Sequence, residues 1–69
     1  MPNLKIENNF TYHAPKEGQP ERYVALRDYA KQFAYLIAEN CPESREQSLA
    51  LTNLEQAVFW ANAAIARNE

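Results

Sequence analysis

Residues 41–67 read CPESREQSLALTNLEQAVFWANAAIAR, and this stretch decides the fold. Pro42 disfavours helical geometry at Cys41, so whatever helix precedes it must stop there. Ser44 is a good N-cap, its side-chain oxygen able to accept from a backbone N–H of the next turn. Gln47, three residues on, completes a capping box in which each side chain serves the other residue's backbone N–H. Beyond it no glycine or proline interrupts the chain. Leu51, Leu54, Val58, Ala61 and Ile65 recur at alternating intervals of three and four, which is the apolar stripe of a helix that packs on another helix.

A partner helix lies just upstream. Proline suits the first helical position, because its missing N–H has no partner there in any case, so the upstream helix is expected to begin at Pro20. Glu21 in the first turn complements the helix dipole. Tyr23, Leu26, Ala30, Phe33 and Ile37 repeat at three and four, while Arg22, Arg27, Asp28, Lys31 and Gln32 lie mostly off that stripe. The helix ends near Asn40. Two matched stripes joined by a short connection predict an all-α, antiparallel two-helix hairpin over residues 20–69. At about 1.5 Å per residue its arms are roughly 30–35 Å long.

Residues 1–19 form a different region, an N-terminal arm punctuated by Pro2, Pro15, Gly18 and then Pro20. Leu4, Ile6, Phe10 and Tyr12 all fall at even positions, a period of two that predicts a short extended segment interrupted at Asn8 and Asn9. Phe10, Tyr12 and His13 make the arm too aromatic to be left in water. It is expected to pack on a helix or on a neighbouring subunit.

Sixty-nine residues make one small domain, a size that often needs staples. Cys41 is the only cysteine, so no disulfide can form within the chain. His13 and Cys41 are the only soft metal-ligand types, too few for a structural zinc site, and no cofactor is expected. Assembly is the remaining solution. After one stripe of each helix is paired, Tyr29, Leu36, Leu49, Phe59 and Trp60 are left over. Ala50, Ala57 and Ala64 add a small-residue seam every seven residues. Apolar surface of this extent marks an interface, and a symmetric homo-oligomer of hairpins is expected.

The net charge of −2 argues against general DNA or RNA binding, which usually calls for a basic surface. No run approaches the roughly 18 apolar residues of a membrane span, and no signal-peptide core is visible. One free cysteine points to a reducing, cytoplasmic setting. A single histidine gives no convincing catalytic set, so no enzyme is expected. Cys41 reads as a small buried turn residue. Glu55 and Asn62, seven residues apart, share one helix face, where each either bonds across an interface or touches a ligand. Ser44 and Arg45 sit at a helix N-terminus, a ready anion site, although the residues alone slightly favour Arg45 as a solvated surface charge. Arg67 complements a helix C-terminus. Tyr12, His13 and Lys16 have the chemistry to stack on a base and pair with phosphate.

Four words now stand in order: F-x-Y-H-x-P-K-x-G-Q from Phe10, R-Y-x-x-L-R-D-x-A-K from Arg22, C-P-x-S-R-E-Q-S-L-A from Cys41 and W-A-N-A-A-I-A-R from Trp60. Together they resemble the helical hairpin domain shared by phage sponges that counter CBASS immunity and by the C-terminal part of a Thoeris-countering sponge. The resemblance implies compact hexamers in the cytoplasm of the host cell that sequester cyclic nucleotide signals without cleaving them. It implies pockets between protomers for cyclic dinucleotides and separate sites for cyclic trinucleotides. Tyr12 matches a base-stacking position, and Lys16, Ser44 and Arg45 match positions suited to phosphate. Asn62 and Arg67 are the candidates for the second class of site. The Thoeris-type members carry a further N-terminal domain for cyclic ADP-ribose-type signals; this chain has only its arm there. The competing readings are a helical interaction module that docks a host partner through its aromatic face and, behind it, a phosphodiesterase.

Overall fold

The computed structural model describes residues 4–69, Leu4 by its backbone alone. Pro2 of the arm lies outside the described residues. Within them there are three helices and no strand: α1 (Leu4–Asn9), α2 (Gln19–Asn40) and α3 (Arg45–Asn68). Most packing between elements joins α2 to α3.

The arm is not extended. Residues Leu4–Asn9 are helical, and the Phe10 N–H continues the ladder by donating to the Ile6 carbonyl at 3.1 Å. The Thr11 hydroxyl donates to the Glu7 carbonyl and closes the turn. Four apolar residues over so short a run fit a period of two only by coincidence. Two side chains tie this helix down: the Asn8 amide donates to the Arg67 carbonyl at 3.1 Å, and His13 Nε2 lies 2.8 Å from the Asn8 carbonyl. The arm thus meets the end of α3 through its polar groups. Phe10 and Tyr12 stay exposed.

Helix α2 begins one residue before the expected start. Gly18 caps it in the left-handed region at φ 84°, a conformation that needs glycine, and Gln19 is the first helical residue, with Pro20 in the first turn behind it. Gln19 earns this place by reciprocal bonding. Its N–H donates to the Lys16 carbonyl at 3.1 Å and its side-chain oxygen accepts from the Lys16 N–H at 3.0 Å. It is 3% exposed, the only buried residue among those described. Helix α2 stops at Asn40, with Cys41 extended at φ −115°, ψ 135° ahead of Pro42, as the sequence requires. Cys41 is exposed and not the buried turn residue expected of it; the turn lies at the tip of the hairpin, where nothing covers it.

Ser44 caps α3 as expected, its hydroxyl oxygen accepting from the Gln47 N–H at 3.1 Å. The reciprocal half of the box is absent. Gln47 sends its side-chain amide to the Cys41 carbonyl at 3.0 Å and so closes the turn instead of capping Ser44. Ser44→Ala is expected to lower stability by about 1 kcal/mol, read as a fall in the urea midpoint at unchanged m-value.

Along the seam, Tyr23, Leu26, Ala30 and Ile37 of α2 and Leu51, Leu54, Val58, Ala61 and Ile65 of α3 are half-buried. Phe33 is not part of it. It is 53% exposed, and Ala34 takes its place, because the stripe of a straight helix drifts and the four-residue step lands on the smaller side chain. The protein measures 51 × 28 × 12 Å, and no hydrophobic residue among those described is buried. A single layer of helices leaves both its faces bare, whereas stable domains stack at least two layers around a core.

Candidate functional site

The candidate residues fall at two ends of the hairpin. At the turn, Ser44 Oγ donates to the Pro42 carbonyl at 2.9 Å while accepting from Gln47, so its hydrogen-bonding capacity is largely committed. Beside it Arg45 opens α3, exposed and without a hydrogen bond or ion pair among the described residues. An unpaired guanidinium next to a capped helix N-terminus is available to an anion.

At the far end stand Tyr12, His13, Lys16, Asn62 and Arg67. Tyr12 is 83% exposed, with its ring open to solvent. The His13 ring is anchored to Asn8 through Nε2, which donates to the carbonyl there. Lys16 reaches the Glu69 carbonyl with its ammonium. The Arg67 carbonyl receives Asn8, which joins the arm to α3. Asn62 is half-buried, and its side-chain oxygen Oδ1 is enclosed with no hydrogen-bond partner among the described residues. Such a group is costly to leave unmatched and marks a place where a donor is wanted.

Arg22 and Glu69 lock this end. Arg22 Nη1 donates to Glu69 Oε2 at 2.8 Å, and Nη2 pairs with Oε1 in a two-pronged ion pair. The hydrogen bond from Arg22 holds the Glu69 carboxyl below its ordinary range, and the same bond raises Arg22. A lowered carboxyl stabilises the fold above the ordinary glutamate range, and that contribution fades as pH falls through the lowered value. Both groups are open to solvent, so the effect is small. In an NMR titration Glu69 is expected to titrate below a free glutamate and to move up towards the ordinary range in Arg22→Ala, with Gln19 and Lys16 keeping part of the lowering.

Two grooves open on one face of α2 and α3. The larger, about 510 Å³, is floored by Ala30, Ala34, Leu51, Leu54 and Val58 and rimmed by Arg27, Lys31 and Glu55. The smaller, about 370 Å³, is formed by Tyr23, Phe59, Asn62, Ala63 and Ala66. Phe59 and Trp60 meet edge to face at 5.3 Å, with Phe59 turned into this groove. Sequence reading placed Asn62 and Glu55 on one face, and both line grooves there. It passed over Arg27 and Lys31, whose four-residue spacing on one flank of the stripe was the available signal.

What the chain does not do is gather its candidates into one pocket. Ser44 and Arg67 stand at opposite ends of α3, about 34 Å apart at 1.5 Å per residue. No ligand of nucleotide size spans that distance within one copy.

A family model described as Acb2/Tad1, hairpin domain, matches residues 2–66. The chain belongs to that family. That family is the hairpin domain of the anti-CBASS and anti-Thoeris sponges, a family of binding proteins. The match takes in the arm as well as both long helices, and so all of the candidate residues except Arg67. No curated protein and no solved structure matches the chain. Among the described residues no helix is long and apolar enough to cross a membrane, and no group of metal-binding side chains occurs.

Proposed function

We propose that this protein is an anti-defence sponge that binds cyclic oligonucleotide immune signals, cyclic dinucleotides and also cyclic trinucleotides, and holds them without cleavage in the cytoplasm of the host cell. The observation that carries this reading is membership of the sponge family over residues 2–66. The working unit is a homo-oligomer, a hexamer, of antiparallel hairpins (residues 20–69), each with its arm (residues 1–19). The separation of Ser44 and Arg45 from Tyr12, His13 and Lys16 supports pockets made by two copies, the turn end of one meeting the arm end of the next. There Tyr12 would stack on a base while Arg45 and Lys16 pair with phosphates. The unmatched Asn62 oxygen supports the second class of site, with Arg67 close by in sequence; an exocyclic amine of a base is the donor it suits. Sequestration needs only affinity, which preorganised interface pockets supply.

The test is a thermal-shift panel of cyclic di- and trinucleotides. A ligand at about 100 times its Kd stabilises the folded state by about 2.7 kcal/mol. At least one member of the panel is expected to raise Tm, and heating the complex is expected to return that ligand intact. No shift across the panel would favour the docking module, for which exposed Trp60 provides a surface. Recovery of linear nucleotides would point to a phosphodiesterase.

A further inference from the structure

The second face of the hairpin, opposite the grooves, has its own pattern. Arg27 and Lys31 mark the groove flank of α2, and Glu55 marks that of α3. At 100° per residue, Tyr29, Phe33 and Leu36 lie on the other flank of α2, and Ala50, Ala57 and Ala64 on the other flank of α3. This second face therefore carries a ridge of bulky side chains beside a channel of methyl groups. Tyr29 is 73% exposed and Leu36 54%. None of these six positions is charged, nor are Leu26, Leu54 and Ala61 between them.

The ridge and the channel share one repeat. Tyr29 and Leu36 are seven residues apart, as are Ala50 and Ala57. The larger groove sets residues 27–34 against residues 51–58, which places Tyr29 near the level of Ala57 and Leu36 near that of Ala50. A two-fold axis parallel to the helices lays α2 of one copy over α3 of another without changing those levels. Tyr29 then meets Ala57 of the partner and Leu36 meets Ala50, twice over, in a knobs-into-holes arrangement with Phe33 between them. A foreign partner would need only one of these halves. A chain that carries both on one face matches itself.

The surface area agrees. The chain exposes 5846 Å² at a mass of 8.0 kDa, whereas a compact monomer of that mass exposes about 4,450 Å². The excess of about 1,400 Å² exceeds the roughly 800 Å² that each partner gives to a standard interface. We infer that the ridge of Tyr29, Phe33 and Leu36 packs into the channel at Ala50 and Ala57 of a second copy, forming a two-fold pair whose grooves face outward. This rests on the oligomer reading above and specifies the face that builds it.

Light scattering on the full chain, with helicity followed by circular dichroism, tests the pair. Ala57→Arg is expected to cut the apparent mass by half or more at unchanged helicity, while Ala57→Ser keeps the parent mass. In a Cys41→Ser background, Tyr29→Cys chains mixed with Ala57→Cys chains are expected to form a mixed disulfide on mild oxidation. That arm decides the matter even where Ala57→Arg does not fold. A parent that assembles, yet gives no mixed disulfide and tolerates Ala57→Arg, overturns this face and leaves the oligomer reading standing. A parent that is monomeric at micromolar concentration overturns both.

Discussion

Arg45→Ala is expected to weaken binding of whichever cyclic dinucleotide the protein prefers by about 10- to 100-fold, the loss that follows from removing one charge-assisted hydrogen bond to a phosphate. The size of the effect comes from geometry. Arg45 has no partner among the described residues, so its loss costs the folded chain nothing that the structure shows. The whole effect should therefore fall on the ligand. Tyr12→Ala should act similarly through lost stacking, about 1–3 kcal/mol per base, again with no internal contact to lose, since the ring is 83% exposed. Isothermal titration with each variant, together with its mass by light scattering, separates the outcomes. Weaker binding at parent mass supports the site; a changed mass would show that the residue serves assembly instead. If both variants bind like the parent, the assignment of Tyr12 and Arg45 to the pocket is wrong.

The turn at Cys41–Ser44 and the cap on α3 could be read from the sequence because proline and serine act there through local geometry alone. Other features depended on neighbours the sequence does not name. The helix of the arm is held by Asn8 reaching Arg67, 59 positions away. Its own six residues carry too little periodicity to tell helix from strand. By sequence Gln19 is only the last residue of the arm, yet it is the most buried residue described, bonded to Lys16 in both directions. Phe33 fitted the stripe by spacing but lost its place to Ala34, since a hairpin seam one layer thick accepts the smaller side chain and has no second layer to shelter the larger. Among the site residues, Asn62 was legible as a polar group set among alanines. That its oxygen is enclosed and unmatched appears only once Tyr23 and Phe59 are placed around it.

Leu54→Ala is expected to be the most damaging of the simple truncations along the seam. Leu54 sits where α2 and α3 are closest to forming a core, in the floor of the larger groove beside Leu51, Val58 and Ala30. Fully buried leucines cost 2–5 kcal/mol on truncation. Leu54 is only half-buried, so about 2 kcal/mol is the fitting magnitude, or a fall in Tm of roughly 8–16 °C for a domain of this size. Thr52→Ala, two residues away on an exposed position, should stay within about 0.5 kcal/mol. The comparison is informative at two protein concentrations. In the proposed oligomer, assembly stabilises the folded chain by mass action, so Tm should rise with concentration for the parent and for both variants. Trp60→Ala removes a ring that is 58% exposed in the single chain. It should cost little at high dilution and more where copies associate, if that ring is covered by a neighbour. Should Leu54→Ala prove as mild as Thr52→Ala at every concentration, the seam between α2 and α3 would not be what holds the hairpin. Contacts between copies would then have to supply the stability that a single layer of helices lacks.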